Sequence, residues 1–435
     1  MSLMSPVTWS ELDRDARRRL LARPALSDDE SIRASTTAII SSVRELGDVA
    51  VRELTERFDG VRLENLAVSE NEIAAAEREL DESDIRAIDL AIENVRCFHE
   101  AQQPASIRIE TMPGVLCERI SHPIEAVGLY VPAGSAPLPS AAIMLAVPAA
   151  IAGCPTRILC TPPRSDGSAD PAVLVAASRA GVADIFKIGG AQAIAAMAYG
   201  TESVPKVSKI FGPGNAWVTC AKTLVSGDVE GAAIDLPAGP SEVLVVADAN
   251  ASAEFVAADL LAQAEHGTDS QVLLVTDSPA LAQAVADELD AQLAGLSRAE
   301  IVRAALENSR LIIVANLTTA VEVSNAYAPE HLILQVEAAR ELLPAVRNAG
   351  SVFVGEWTPE SVGDYCSGTN HVLPTYGFAR NYNGLGLDQF LRLMTVQELS
   401  REGLANLGDA VVSLAGLEGL DAHAAAVTRR LGSNP

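Results

Sequence analysis

An adjacent glutamate and histidine, Glu330 and His331, stand in the stretch NAYAPEHLILQV and could act as proton acceptors. Neighbouring side chains diverge on a helix and point to opposite faces of a strand, so regular structure would separate them. Pro329 disfavours helical geometry at Ala328, and the apolar run after His331 is typical of a short buried strand. We therefore expect the pair at a loop–strand junction, where a turn can bring both groups together. A solvated surface pair is the other interpretation, because exposed Glu and His residues are common.

A second group of residues could bind a metal ion. Gln263 and His266 are three residues apart in a helical pattern, close enough to share a ligand. His266 precedes Gly267, the expected end of that helix, where the negative end of the dipole favours a cation. One Gln-x-x-His pair is weak support for a metal, since zinc prefers several His, Cys or carboxylate ligands. Asp364 and His371 stand in a Gly- and Ser-rich loop, a composition that is often functional and more often only a turn.

Three loops could hold the phosphates of a dinucleotide. Each follows an apolar strand pattern and opens a helical pattern, so free N–H groups and the positive end of a helix would face the ligand. None matches Gly-x-Gly-x-x-Gly, and each alone could be a plain tight turn. Three such loops at successive strand ends favour a cofactor site. They are YVPAGSAPLPS at 130–140, GGAQAIAA at 189–196 and FGPGNAWV at 211–218.

The elements that must position these residues form two successive strand–loop–helix series. The first runs from EAVGLYV to SKIFGPG, and the second runs from SEVLVVAD to SVFVGEW. Strands that alternate with helices are typical of parallel sheets covered by helices. The sequence therefore predicts an α/β protein with two similar Rossmann-like parallel-sheet domains and a cleft between them. It also predicts a helical N-terminal layer and a small helical C-terminal tail, which is too short to fold alone and must dock on the body or on a partner.

The composition of the 435 residues limits the classes of function. The formal net charge of −25 argues against nucleic-acid binding and against binding to anionic lipid, since both need a positive surface. No window has the character of a membrane span, and the N-terminus lacks a signal-peptide pattern. The six cysteines form no Cys-x-x-Cys pair, which favours buried, reduced thiols over disulfide bridges. We therefore expect a cytoplasmic protein that binds neither nucleic acid nor membrane.

Six longer motifs carry a resemblance to a known family. Their length and order make the resemblance specific, and it extends from the N-terminal helices to the tail. The motifs are GLYVPAGSAPLPS, FKIGGAQAIAAMAYGTESVPKVSKIFGPGN, AIDLPAGPSEVLV, LLAQAEHG, YAPEHL and GDYCSGTNHVLPT. With these motifs the chain resembles the histidinol dehydrogenases.

The resemblance implies that the protein oxidises L-histidinol to L-histidine through histidinal, in the last step of histidine biosynthesis. The reaction would use two NAD+ and one water, at a site with one Zn²⁺ per subunit. His331 would carry out the proton transfers, and Glu330 would activate the water. The implied site residues are Glu330 and His331 for catalysis; Gln263, His266, Asp364 and His423 for zinc; these four ligands with Ser241, His331, His371 and Glu418 for substrate; and Tyr130, Gln192 and Asn215 for NAD+.

The resemblance also implies a homodimer with composite active sites, in which the tail of one subunit completes the site of the other. This accounts for a tail that is too small to fold by itself. The implied units are an N-terminal helical segment (1–27), a larger α/β domain with the metal and catalytic residues (28–129 plus 238–381), a Rossmann-like NAD-binding domain (130–237) and a tail that docks on the partner subunit (382–435).

Two other functions fit the same residues. One is a paralogous zinc- and NAD-dependent dehydrogenase for another small polar alcohol, and the other is a non-catalytic protein that binds NAD or a metal. Glu418 argues against the first, because a carboxylate suits the ammonium group of histidinol. The presence of both Glu330 and His331 argues against the second.

Overall fold

The computed structural model describes residues 4–24, 30–133, 136–236 and 239–432. The chain begins with a short strand and five helices. Ser69 and Asp81 each cap a helix through a capping box, so the helical pattern between 69 and 100 forms two helices and not one. These elements are β1 (Val7–Thr8), a 3₁₀ helix (Trp9–Glu11), α1 (Arg14–Leu20), α2 (Glu30–Leu46), α3 (Asp48–Asp59), α4 (Glu70–Glu79) and α5 (Glu82–Glu100).

An antiparallel hairpin and a parallel five-stranded sheet follow. The elements are β2 (Ile107–Met112), β3 (Val115–Pro123), β4 (Ala126–Tyr130), α6 (Pro139–Ala152), β5 (Thr156–Thr161), α7 (Pro171–Arg179), β6 (Asp184–Lys187), α8 (Gly190–Tyr199), β7 (Lys209–Phe211), α9 (Ala216–Ser226) and β8 (Ala233–Ile234). Strands β4 to β8 pair in the order β6-β5-β4-β7-β8. The central helix α6 is buried along most of its length, which agrees with its apolar sequence.

A parallel six-stranded sheet forms the second unit. Its elements are β9 (Glu242–Ala247), α10 (Ala253–Ala264), β10 (Gln271–Thr276), α11 (Pro279–Leu293), α12 (Ala299–Glu307), β11 (Arg310–Ile313), α13 (Leu317–Tyr327), β12 (His331–Gln335), α14 (Ala339–Leu342), a 3₁₀ helix (Leu343–Ala345), β13 (Ser351–Val354) and α15 (Glu360–Tyr365). The strands pair in the order β1-β11-β10-β9-β12-β13. Strands β9 and β10 are buried throughout, and each begins with a polar residue, Glu242 and Gln271 respectively.

The two sheets share one topology. If the strands of each unit are numbered in chain order, both have the order 3-2-1-4-5, and β1 from the N-terminus adds a sixth strand to the second sheet. This is the strand order of a doubly wound dinucleotide-binding fold without its sixth strand, and ligands of that fold bind near the change of direction between the first and fourth strands. The prediction of an α/β protein with two similar parallel-sheet units is therefore confirmed.

Helices α2 to α5 of the N-terminal layer cover the five-stranded unit, whereas the end of α1 packs on the six-stranded one. Helices α2 to α5 pack on α6, α7, α8 and α9, and their apolar residues join the two cores of the five-stranded unit. This packing groups residues 30–100 with the five-stranded sheet, whereas the sequence analysis grouped 28–129 with the unit that carries the catalytic residues. The domain boundaries themselves stay a prediction.

The tail begins with a strand that the sequence analysis did not predict. Its elements are two 3₁₀ helices (Phe378–Arg380 and Leu387–Phe390), β14 (Leu391–Leu399), α16 (Arg401–Leu417) and α17 (Asp421–Leu431). The prediction of a purely helical tail is wrong for β14, which pairs along its whole length with β3 in a three-stranded antiparallel sheet. The segment LRLMTVQEL follows neither period clearly, so its distant partner β3 decides its conformation.

Two expectations from composition can be compared with the fold. In the described residues, no helix combines the length and the apolar character needed to cross a bilayer. All six cysteines are unpaired, as expected, although only Cys154 and Cys160 are buried. Burial raises the pKa of the Cys154 thiol to about 11 and that of Cys160 further still, so neither is poised to act as a nucleophile.

The carboxyl group of Asp59, at the end of α3, makes stability depend on pH. One of its oxygens is buried without a hydrogen-bond partner, and burial raises its pKa from 3.8 to about 6. The folded state then binds the proton more tightly than the unfolded state, so stability falls as pH rises from about 4 to about 6. We expect Asp59→Asn to raise the thermal midpoint by about 1–4 °C at pH 8 and not at pH 4. Thermal unfolding at both pH values tests this, and an equal shift at both would contradict it.

Candidate active site

The candidate site lies in a cleft of about 670 Å³ between the two units. One wall is the carboxyl edge of the five-stranded sheet, where the loops after β4 and β7 contribute Pro132 and residues 213–216. The other wall is the amino edge of the six-stranded sheet, where Ser241 precedes β9 and His266 precedes β10. The two units have the same strand order, but the five-stranded sheet faces the cleft with its carboxyl edge and the six-stranded sheet with its amino edge.

Glu330 and His331 lie where β12 begins, as the sequence predicted. Ala328, two residues before Glu330, ends α13 in the left-handed conformation, which turns the chain sharply before Pro329. The two side chains are buried, with exposed fractions of 7% for Glu330 and 4% for His331, so the interpretation as a solvated surface pair is wrong. Their closest polar atoms, Glu330 Oε2 and His331 Nδ1, are 3.5 Å apart. The turn thus brings two proton acceptors to one buried position.

The backbone of Glu242, the first residue of β9, holds both groups. Its N–H donates to Glu330 Oε2 at 2.8 Å, and its carbonyl oxygen lies 3.1 Å from His331 Nδ1. A carbonyl can only accept, so Nδ1 carries the proton and Nε2 is the basic nitrogen. His331 Nε2 is buried without a hydrogen-bond partner in the described residues, and Asp364 Oδ1 is 3.7 Å away. The imidazole is therefore fixed with its basic atom turned toward the metal-type ligands.

Carboxylates surround the His331 ring and set its protonation. Burial alone would lower the pKa of His331, but the carboxylates of Glu360 and Glu330 raise it well above the usual value. Burial also raises the pKa of Glu360 well above its usual range. Burial would raise the pKa of Asp364 as well, but its interaction with His331 lowers it. The carboxylates of Glu330, Glu360 and Asp364 thus lie within 4.0 Å of one imidazole, and such a group suits a cationic ligand.

Three side chains present ligand atoms in a group that could hold a metal ion. One ligand atom each from His266, Glu360 and Asp364 lies within 4.8 Å of the other two. With its nitrogen toward Glu360, the Gln263 amide donates to that carboxylate at 2.9 Å, and its oxygen accepts from the Glu242 N–H at 3.1 Å. Imidazole and carboxylate donors in this number suit a divalent cation such as Zn²⁺.

Glu360 is the one member of this group that the sequence analysis missed. It begins α15, in a segment that was expected to be a loop, and it is 1% exposed. Its spacing of four residues from Asp364 is the signal that could have identified it, because that spacing places both carboxylates on one helix face. Helix α10 ends at Ala264, so His266 lies just beyond the helix and not in its last turn.

His371 and Ser241 lie at the same site in different ways. His371 Nδ1 hydrogen-bonds the backbone carbonyl of Asp364 at 2.9 Å, so it fixes the end of α15, which carries the carboxylate. Burial lowers the pKa of His371, which keeps its imidazole neutral. Ser241 lines the cleft together with His266. Both positions agree with contacts to a bound substrate, and the contacts themselves stay a prediction.

The two predicted tail residues lie apart from this cluster within one chain. Glu418 caps the end of α16, and His423 is on α17, where both are exposed. Across the described ranges, no hydrogen bond or ion pair links either side chain to His266, Asp364 or His331. Their assignment to a composite site in a dimer stays a prediction.

The three residues predicted to bind NAD+ have different positions. Asn215 lines the cleft and caps α9 by accepting from the N–H groups of Trp217 and Val218 at 3.1 Å. Tyr130 and Gln192 are buried behind the loops, with exposed fractions of 3% and 2%. The Tyr130 hydroxyl accepts from the Gly190 N–H at 3.0 Å and so fixes the start of α8.

Helix directions give the two walls opposite polarity. The α9 helix begins at Ala216 on the five-stranded wall, and the positive end of its dipole favours an anion there. Helices α10 and α13 end at Ala264 and Tyr327, just before His266 and the Glu330–His331 pair, and their carbonyl ends favour a cation. The cleft therefore suits an anionic ligand on one side and a cation on the other.

Comparison with known proteins identifies the family. The histidinol dehydrogenase family model matches residues 22–431. A histidinol dehydrogenase of Vibrio parahaemolyticus is 54% identical over 428 residues, 98% of either chain, and one of Xanthomonas oryzae pv. oryzae is 57% identical over 429 residues, 99% of either chain. The crystal structure of a histidinol dehydrogenase from Elizabethkingia anophelis has a TM-score of 0.96 at 43% identity and covers 99% of both chains. The chain therefore belongs to the histidinol dehydrogenase family.

Proposed function

We propose that the protein oxidises L-histidinol to L-histidine by way of histidinal, with two NAD+ and one water. Membership of the family makes it an oxidoreductase of histidine biosynthesis. The observation that carries the proposal is the buried Glu330–His331 pair, held by the Glu242 backbone beside metal-type ligands. A protein that only bound NAD or a metal would have no use for two oriented bases.

The two bases divide the chemistry. In the first oxidation, His331 Nε2 takes the hydroxyl proton of histidinol while a hydride leaves the same carbon for NAD+, which gives histidinal and NADH. In the second, Glu330 takes a proton from water as its oxygen bonds to the aldehyde carbon. His331 then takes the hydroxyl proton of the hydrate while a hydride passes to the second NAD+, and the carboxylate product is released. Such bases each contribute about 10²–10⁴ in rate.

We assign the Zn²⁺ site to Gln263, His266, Asp364 and His423 of the partner subunit. The fit is supported by the ligand atoms of His266 and Asp364, which lie together, and by the Glu360 carboxylate beside them. The hydrogen bond from the Gln263 amide nitrogen to Glu360 fixes the direction of the amide. When bound, the metal would orient the substrate through its nitrogen atoms and polarise it.

NAD+ would lie against the five-stranded wall, in contact with Asn215. The start of α9 supports this position, since the positive end of the helix dipole favours a pyrophosphate. Arg33 of α2 lines the same cleft and brings a positive charge to it, which an anionic cofactor needs in a chain of net charge −25. Tyr130 and Gln192, which are buried behind the cofactor loops, would contribute to NAD+ binding by fixing the conformation of those loops.

A homodimer would complete the site. The tail exposes large apolar side chains, including Leu414 at 61% and Leu417 at 85%, beside exposed Leu393 and Met394 on β14. Apolar surface of this kind is typical of a protein interface. Glu418 and His423 extend from the same tail, so a partner that buried these leucines would receive both side chains.

The product ratio tests the proposed function directly. We expect histidinol and excess NAD+ to yield close to two NADH per histidinol, because the aldehyde is oxidised at the same site before it leaves. The measurement is NADH absorbance at completion, with histidine quantified by chromatography. A ratio near one would indicate a simple alcohol dehydrogenase, and no NADH would indicate a binding protein. A reaction with imidazole-free amino alcohols serves as the substrate control.

A further inference from the structure

Three consecutive residues of the N-terminal segment are tied to the catalytic wall. The carbonyl of Ala22 accepts from Gln271 Nε2 at 3.1 Å, at the start of β10. Arg23 extends between β9 and the end of α13, and the carbonyl of Pro24 accepts from the Tyr376 hydroxyl. We call residues 22–24 the N-terminal strap. It lies behind the catalytic pair, away from the chemistry itself.

The strap places a guanidinium group on a buried carboxylate. Arg23 donates to both carboxylate oxygens of Glu242, with Nη2 2.8 Å from Oε2. The side chains are 12% and 2% exposed respectively. The guanidinium carbon also lies 3.8 Å from the ring centroid of Tyr327, so the group is stacked as well as paired. A two-pronged, stacked and buried contact of this kind fixes direction, which a lysine could not reproduce.

The same ion pair holds both strained backbone positions. Among the described residues, only Ala328 and Tyr376 have a positive φ without being glycine, and both have φ of 56°. Arg23 Nη2 donates to the Ala328 carbonyl at 3.3 Å, and Glu242 Oε1 accepts from the Tyr376 N–H at 2.8 Å. Such conformations persist only where surrounding contacts fix them. Ala328 sets the turn into Glu330, and Tyr376 lines the cleft.

The ion pair also reaches the two bases through one residue. Arg23 and the Tyr376 N–H fix the Glu242 side chain, and the Glu242 backbone bonds Glu330 and His331. A displacement of the Glu242 backbone would therefore move both the N–H that donates to Glu330 and the carbonyl that accepts from His331. Both bases and the turn that precedes them depend on the same contact.

We propose that Arg23 and Glu242 are positioning residues that hold Glu330 and His331 in their reactive geometry. This inference rests on the proposed roles of those two bases. The pair touches neither substrate nor cofactor in our assignment, so it acts on the rate of the chemical steps and not on NAD+ binding. An ion pair that served only stability would lower the melting temperature and leave the chemistry of the folded enzyme unchanged.

The test compares Arg23→Lys, Arg23→Met and Glu242→Gln with a matched control, Arg44→Met. Arg44 also pairs with two carboxylates, those of Asp228 and Glu230, and lies over a tyrosine ring, but it is remote from the cleft. In the full-length enzyme loaded with Zn²⁺, we expect kcat to fall about 10²-fold for Arg23→Met, because small misplacements of reacting groups have effects of that size. We expect about 10-fold for Arg23→Lys, and a KM for NAD+ within about twofold of the wild-type value throughout.

Two further measurements keep the outcome clear if a variant is unstable. Thermal midpoints show whether each enzyme is folded at the assay temperature, and Arg23→Lys keeps the buried charge paired. The double variant Arg23→Met with Glu242→Gln should lose no more activity than the worse single variant, since both changes break one unit. Losses in kcat that match Arg44→Met, or additive losses in the double variant, would overturn the proposal.

A crystal structure of Arg23→Lys separates this inference from the proposed function, because it needs no activity. We expect the 2.8 Å bond from the Glu242 N–H to Glu330, or the 3.1 Å contact of its carbonyl with His331, to be broken or displaced. If both contacts were unchanged, the positioning role would be wrong even with a fully active wild-type enzyme. If wild-type enzyme gave no NADH while both contacts moved, the proposed function would fail and the positioning role would stand.

Discussion

Replacement of His331 by asparagine is expected to lower the rates of both half-reactions by about 10²–10⁴-fold. The structure fixes the imidazole with Nδ1 toward the Glu242 carbonyl and Nε2 free, so the ring accepts a proton at one defined place. Asparagine keeps a polar group of similar size but cannot accept and release a proton near neutral pH. The measurement is NADH formation in single turnovers, started separately with histidinol and with histidinal.

Glu330→Gln in the same experiment should affect mainly the second half-reaction. The amide keeps the shape of the carboxylate but cannot take a proton from water, whereas the first hydride leaves without any water attack. His122→Asn is the control, since His122 is an exposed histidine on β3 and has no part in the site. Equal losses of both half-reactions in Glu330→Gln would contradict the division of labour between the two bases.

Mixing two inactive variants should restore activity if the tail completes the partner's site. In a mixed dimer of His423→Ala and Glu330→Gln subunits, one of the two composite sites contains neither change. Random assembly would make half of the dimers mixed, so we expect about a quarter of the wild-type activity in the unfractionated mixture and about half in isolated mixed dimers. The variants are unfolded and refolded together, and mixed dimers are isolated with two different affinity tags before NADH formation is measured.

A second mixture provides the matched control. Glu330 and His331 both lie outside the tail, in the part of each subunit that receives the partner's tail. Each composite site in the mixed dimer of Glu330→Gln and His331→Asn subunits therefore contains one defect, and no recovery is expected. Recovery in this control would indicate exchange or contamination. Verified mixed dimers of the first pair without activity would place the whole site within one chain and contradict the composite site.

Local patterns were sufficient for the units of the fold. Apolar runs such as those at β9 and β10 are buried on both faces, and this makes them readable from sequence without knowledge of their neighbours. Strand β14 could not be predicted because its pairing partner, β3, lies more than 250 residues earlier. The packing of α2 to α5 on the five-stranded sheet is likewise a choice between two similar surfaces, which no local pattern distinguishes.

The site shows the same limit at the level of side chains. Glu330 and His331 were predicted because Pro329 and the apolar run after them mark a turn in the sequence itself. Glu360 was missed because its helix α15 has only six residues, too few for a clear period. Arg23 could not be connected with Glu242, 219 residues away, because nothing in either segment specifies the other. Tyr130 was identified from the sequence, but the hydrogen bond of its buried hydroxyl with the Gly190 N–H could be found only from the structure.

The opposite edges that line the cleft have a consequence for how the reaction is ordered. A four-electron oxidation must exchange spent dinucleotide for fresh dinucleotide while a reactive aldehyde waits. In the assignment proposed above, separate units hold the dinucleotide and the substrate, so a small opening between the units would release the dinucleotide while the aldehyde stays bound. We expect the aldehyde to be sequestered during this exchange, so a scavenger of free aldehydes added to the reaction should intercept almost none of it.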